Sequence, residues 1–197
     1  MMTLVGSPRT RAFRVMWMLE ELGAEYDVID AQPQSPEARE VNPSGKVPAL
    51  RVAEGVITDS VAICQYLADR FQRFTAPAGS YERAVQDSYT QFACDDMDSI
   101  LWTKAKHAFV APEELRVKVG PACSWDFDRA MHSFAERLGD RQYVMGDAFT
   151  VPDLIIGHCA GWAQQAGMAW PEGTVTAYFE RVRSRPAFKQ ALAKRDG

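Results

Sequence analysis

Proline at position 48 limits what residues 42–50, Asn-Pro-Ser-Gly-Lys-Val-Pro-Ala-Leu, can become. Proline has no N–H to give a sheet, so it is tolerated at a strand's first residue, at an edge or at a bulge. Pro48 therefore stands at the mouth of a strand, and the Val47-Pro48 bond is a candidate cis peptide. The backbone N–H and C=O of Val47 are then expected to face outward, free to pair with an extended ligand as an added strand. Ala49-Leu50-Arg51-Val52 alternates as a strand does, Glu54-Gly55 turns the chain, and Val56-Ile57 returns it. Thr58-Asp59-Ser60 then opens a helix whose free N–H groups, dipole and side-chain oxygens form a polar cradle. A carboxylate fits the N–H groups and an ammonium fits Asp59. A peptide-like molecule carrying both groups at one end fits both devices at once.

The rest of the chain frames this unit. Residues 2–6 read as a short buried strand, followed by the loop Ser7-Pro8-Arg9-Thr10. A helix is expected over 10–22, with Ala12, Val15, Met16, Leu19 and Leu22 on one face and Gly23 as its cap. Residues 26–30 give a second strand, 31–41 a loop with at most a short helix, and 60–71 a third helix. This β-α-β, β-β-α order is the thioredoxin-like layout, one mixed four-stranded sheet flanked by helices, with a right-handed crossover between the first two strands. The predicted organisation is an α/β domain over 1–74, a small, proline-bearing linker over 75–80 and an all-helical domain over 81–197. In the helical part, long helices are expected over 81–109 and 113–138. Thr150-Val151-Pro152-Asp153 reads as a capping box before an apolar run.

A Val-Pro-Ala-Leu strand, a hairpin and an Asp-Ser helix start resemble the glutathione site of the cytosolic glutathione S-transferases. The capping box at 150–153 and the closing segments Tyr178-Phe179-Glu180-Arg181-Val182 and Ser184-Arg185-Pro186-Ala187-Phe188 resemble those of bacterial members. The resemblance covers nearly the whole chain. It implies glutathione as co-substrate, held by Lys46, Val47, Pro48, Asp59 and Ser60, and a homodimer built on the long helix after Ser80. It implies an enzyme that adds the glutathione thiolate to a small hydrophobic electrophile, or reduces a peroxide with it. The competing reading is a non-catalytic protein that uses the same fold to bind ligands or partner proteins.

The family stabilises the thiolate with one hydroxyl at the end of the first strand. No tyrosine precedes Tyr26, so Ser7 and Thr10 are the candidates, with a backbone N–H as the remaining alternative. Ser7, followed by proline and seven residues before Arg14, matches the catalytic serine of the tau-like and zeta-like classes, or the cysteine of the omega-like class. Thr10 stands where many bacterial members carry a second hydroxyl. Each also has a plain role, Ser7 as a turn residue and Thr10 as a helix cap. Arg9 and Arg11 flank Thr10 where serine classes carry apolar or aromatic residues, and could stabilise the thiolate, select an acidic co-substrate or face water. Phe13, Met97, Trp102 and Phe109 are candidate walls of an apolar cleft for the second substrate.

Other functions find less support. The net charge of −4 argues against nucleic acid as a main partner. No apolar run suits a membrane span and no signal peptide is recognised. Cys64, Cys94, Cys123 and Cys159 form no Cys-x-x-Cys pair and read as reduced thiols of a cytoplasmic protein. His107, His132 and His158 lack metal-ligand spacing, so no metal is expected.

Overall fold

The computed structural model of the chain describes residues 1–196. Strands β1 (Met2–Val5), β2 (Tyr26–Ile29), β3 (Ala49–Val52) and β4 (Gly55–Thr58) form a four-stranded sheet in the order β2-β1-β3-β4. β1 and β2 run parallel, whereas β1–β3 and β3–β4 are antiparallel. Parallel neighbours need a crossover, supplied here by helix α1 (Ala12–Leu22). Gly23 ends α1 in the left-handed region at φ 64°, its N–H bonded to the carbonyl of Glu20. Helices α2 (Pro36–Val41) and α3 (Ser60–Phe71) complete the layout expected from the residue order.

The α1 helix is buried on more than one side. Its predicted apolar face is enclosed, but so are Phe13, Arg14, Trp17 and Met18. For Phe13 and Trp17 the extra cover comes from the far end of the chain. The structure divides into two compact units, one of residues 1–78 with 183 onward and the other of 79–182. The C-terminal segment, expected in the helical domain 81–197, thus groups with the sheet. Helix α9 (Pro186–Asp196) packs on α1. Phe188 meets Phe13 edge-on at 5.6 Å and Trp17 at 4.8 Å, contacts of about 0.5–1.5 kcal/mol each beyond their area burial. Arg185 forks onto Glu21 at 2.6 and 2.7 Å, and Lys194 reaches Glu20 at 2.6 Å.

The second unit is helical. Helix α4 (Tyr81–Phe92) and helix α5 (Ser99–Ala105) are joined and followed by π-helical turns, Ala93–Asp98 and Lys106–Val110. The expected helix over 81–109 is therefore helical throughout but widened to π geometry at two places. The expected helix over 113–138 is shorter. A single 3₁₀ turn, Glu113–Leu115, is followed by extended backbone at Arg116, and α6 (Gly120–Leu138) begins at Gly120-Pro121. Proline lacks an N–H and so fits a first turn, where that group has no helical partner. Helices α7 (Val151–Gln165) and α8 (Thr174–Arg183) follow.

The capping box forms at the start of α7. Asp153 is wholly buried, and its carboxylate accepts from Thr150 N–H at 2.8 Å, Thr150 Oγ1 at 2.9 Å, Val144 N–H at 2.9 Å and Tyr178 OH at 2.7 Å. Burial pushes its pKa up, and these four donors oppose that rise. Among the described residues, no helix is long and apolar enough to cross a membrane.

Candidate functional site

Strand register brings the predicted site together. Val5 pairs with Ala49 on one side and Ile29 on the other, and Ala49 pairs with Thr58. The chain leaves β1 at Gly6-Ser7, enters β3 from Val47-Pro48 and leaves β4 at Asp59-Ser60, all at one end of the sheet. The Val47-Pro48 bond is cis. Gly6 sits at φ 144°, and a Cβ there would lie 3.0 Å from the Val47 Cβ and 3.3 Å from the Pro48 Cα. Only glycine lets the end of β1 come this close to the Val47-Pro48 unit.

The two candidate hydroxyls have different surroundings. Ser7 is 2% exposed, and its N–H bonds the carbonyl of Ala31 at 2.8 Å. Its Oγ makes no hydrogen bond among the described residues. Thr10 is tied into the loop. Its hydroxyl donates to the Ser7 carbonyl at 2.7 Å and accepts from the Ala12 N–H at 3.2 Å. The Thr10 hydroxyl proton is therefore committed to the Ser7 carbonyl, and its oxygen accepts from the first N–H of α1.

At the start of α3, Asp59 is exposed, and its Oδ1 accepts from Val61 N–H at 2.9 Å and Ala62 N–H at 3.3 Å. Its backbone lies at φ 73°, ψ 126°, a region costly for any residue with a Cβ. Ser60 is 3% exposed, and its Oγ accepts from Arg14 Nη1 at 3.3 Å. With Arg14 as donor, the Ser60 hydroxyl proton is left to donate elsewhere. Lys46 is exposed at the end of a turn in which Asn42 Nδ2 donates to the Lys46 carbonyl and Lys46 N–H to Ser44 Oγ.

Arg14 was legible only as a spacing mark. It is a buried cation on a helix of apolar neighbours, and its role beneath Ser60 comes from the tertiary fold. A charge inside the run Ala-Phe-Arg-Val-Met-Trp is the signal that could have flagged it, since a buried charge needs a partner. Beside it, Cys64 donates to the Arg14 carbonyl at 3.6 Å. Burial pushes the Cys64 thiol up to about 12, against the pull of the Arg14 charge. Cys64 is therefore no thiolate nucleophile.

The candidate walls are dispersed. Phe13 is packed between Trp17 and Phe188 in the first unit, and Met97 is wholly buried in the second. Trp102 and Phe109 are exposed on the second unit. Phe13 is enclosed because α9 covers α1, which the local pattern of α1 does not foretell. Ser7 lines a cavity of about 480 Å³ bounded by the loop after β1, by β2 and by the end of α9.

The sequence model of the glutathione S-transferase N-terminal domain matches residues 10–70. Glutathione S-transferase GstA of Escherichia coli O157:H7 is 27% identical over 158 residues, covering 78% of this chain and 75% of that protein. A solved glutathione transferase from Methylococcus capsulatus is similar at TM-score 0.85 and 25% identity, covering 100% of this chain and 99% of that one. A theta class glutathione S-transferase from Xanthomonas axonopodis pv. citri, solved with glutathione bound, shares the fold at TM-score 0.82 and 23% identity, covering 97% of this chain and 96% of that one. A matched N-terminal domain, a fold shared from end to end, and three segments converging on one end of the sheet lead to one reading: the chain carries a glutathione S-transferase N-terminal domain over residues 10–70 and has the glutathione transferase fold throughout.

Proposed function

We propose that this chain is a glutathione transferase that holds glutathione with Val47, Pro48, Lys46, Asp59 and Ser60 and keeps its sulfur ionised with Ser7. The thiolate then attacks a small electrophile or reduces a peroxide. The fit rests on unused capacity. The γ-glutamyl carboxylate suits the Ser60 hydroxyl and the first N–H groups of α3, and the ammonium suits the exposed Asp59 carboxylate. The observation that carries the reading is the contrast between the two hydroxyls. Thr10 gives its proton to the Ser7 carbonyl, whereas Ser7 keeps its own at the end of β1. A hydrogen bond to a charged group is worth about 1.5–3 kcal/mol. Lowering a thiol pKa by about two needs about 2.7 kcal/mol, so one hydroxyl supplies most of the activation.

Ultraviolet titration of the bound thiolate tests this. Ser7→Ala should raise the thiol pKa by about one to two and lower turnover at neutral pH about ten- to a hundred-fold. Thr10→Ala should leave that pKa in place and cost about 1 kcal/mol of stability through the lost loop hydrogen bonds. A pKa that moves in Thr10→Ala alone reverses the roles. One that moves in neither variant removes the hydroxyl mechanism and points to a backbone N–H or Arg11.

The proposal extends to a two-fold homodimer of cytoplasmic chains serving detoxification. Tyr81 at the start of α4 is 80% exposed, and symmetric pairs are the commonest oligomers. The four free cysteines suit a reducing compartment. Light scattering should give twice the 22.0 kDa of one chain, and a value for one chain rejects the dimer.

A further inference from the structure

β1 lies between β2 and β3 in the sheet, so Ser7 has two flanks. On the β3 flank stand Val47 and Pro48, with Asp59 and Ser60 beyond them. On the β2 flank lies the cavity of about 480 Å³. Its lining is amphipathic. Pro8, Met16, Val28 and the ring of Tyr26 give it apolar surface, and Val28 is 40% exposed. Three cations, Arg9, Lys194 and Arg195, line it against one anion, Asp30. Each basic side chain has to be weighed against its own partners before the charge of the site is read.

The three cations are not equivalent. Lys194 is bonded to Glu20 at 2.6 Å, and Arg195 is forked onto Asp196 at 2.8 and 2.9 Å. Arg9 is exposed and makes no hydrogen bond or ion pair among the described residues, although its charge helps to lower the pKa of Asp196. Tyr26 donates to Glu20 at 2.6 Å, which fixes its ring as a wall.

We infer that this cavity seats the second substrate and selects one that carries a carboxylate on a flat apolar body, with Arg9 holding the carboxylate. The inference rests on the reading of Ser7 as the thiolate-stabilising group. Glutathione sulfur at Ser7 then has its own peptide on one side and the electrophile on the other. In an aromatic substitution the thiolate attacks the ring carbon that bears chloride. The C–S bond forms, the C–Cl bond breaks, and chloride leaves with the electron pair, so no oxidant or reductant is needed. A guanidinium suits the acid because it can donate two parallel N–H bonds to a carboxylate. The apolar lining suits the ring.

Three probes test this with the full chain: chlorodinitrobenzoate, its methyl ester, and the unreactive dinitrobenzoate that lacks the leaving group. In Arg9→Ala the acid-to-ester ratio of kcat/KM should fall about tenfold, the lower range for one hydrogen bond to a charged group. Calorimetric binding of dinitrobenzoate, which needs no turnover, should weaken by a similar factor. Arg9→Lys should recover part of both, because it restores the charge without the fork. An unchanged ratio and an unchanged dissociation constant in Arg9→Ala overturn the inference. The two readings fail separately. If the ester is conjugated but dinitrobenzoate does not bind, the carboxylate site is wrong and the transferase reading stands. If neither electrophile reacts but dinitrobenzoate binding depends on Arg9, the cavity stands as an anion site and the transferase reading falls.

Discussion

At the start of α7 the Asp153 carboxylate is sealed from water and takes four donors, two on each oxygen. At the start of α3 the Asp59 carboxylate is exposed and takes two donors, both on Oδ1. Its Oδ2 makes no hydrogen bond among the described residues. The backbones differ in the same sense. Thr150 before α7 is extended at φ −134°, ψ 173°, whereas Asp59 sits at φ 73°, ψ 126°. Both places join a hydroxyl residue to an aspartate at a helix start. The first is saturated and relaxed, as a folding device should be. The second is strained and holds acceptor capacity in reserve, the combination expected where a ligand completes the structure.

The contrast is sharpest when each aspartate is removed. Asp153→Ala leaves the buried N–H groups of Val144 and Thr150 and the hydroxyl of Tyr178 without their acceptor. Each such group costs about 1–3 kcal/mol when buried unpaired, so the loss should be about 3 kcal/mol or more. Urea denaturation measures it, and a loss under about 1 kcal/mol would mean that water or a shifted loop replaces the carboxylate. Asp59→Gly is the opposite case. Glycine adopts positive φ without penalty and caps a helix nearly as well as aspartate. Stability should therefore hold within about 0.5 kcal/mol. Glutathione affinity should fall by about 1.5–3 kcal/mol, because the partner of its ammonium is gone. Unchanged affinity in calorimetry places the ammonium elsewhere.

These two helix starts also show what could be read without a structure. Asp59-Ser60 and Thr150-Asp153 were legible because local hydrogen bonding favours those residues at helix starts. The β3–β4 hairpin followed from where Pro48 and Gly55 permit strands. What was not legible depends on contacts distant in sequence. Phe13 reads as a wall of an apolar cleft near the catalytic loop, and Phe188, far along the chain, helps to enclose it. The grouping of α9 with the sheet hid in Glu21 and Arg185, two charges that look solvated until they meet. Pro8 and the distance to Arg14 favour Ser7 over Thr10 in the sequence, but the hydrogen bonding that sets the two hydroxyls apart was not legible there. The distinction arises because Thr10 finds an acceptor in the Ser7 carbonyl.

The smallest effect concerns Cys64, which lies one turn along α3 from Ser60 and is as deeply buried as Asp153. Burial holds its thiol protonated up to about 12 in the folded chain, against about 9 when unfolded. The sign follows from the proton count. Above pH 9 the unfolded chain releases the Cys64 proton and the folded chain keeps it, so unfolding is favoured as pH rises. The stabilising contribution is complete below about pH 9 and is lost progressively toward pH 12. At pH 10 the loss should be about 1.4 kcal/mol, since a tenfold change in a protonation equilibrium is worth about 1.36 kcal/mol. Tyr26 and Tyr178 are also raised, chiefly by burial, but act only above pH 10, where an unfolded tyrosine begins to ionise. Cys123 is raised in the same window as Cys64. Cys64→Ser keeps a donor for the Arg14 carbonyl but does not titrate in this range. Its urea stability should fall less steeply than that of the parent chain between about pH 8.5 and 10, without becoming flat, because Cys123 remains. Equal slopes in the two proteins would show that Cys64 ionises in the folded state, and that the Arg14 charge outweighs burial beneath Ser60.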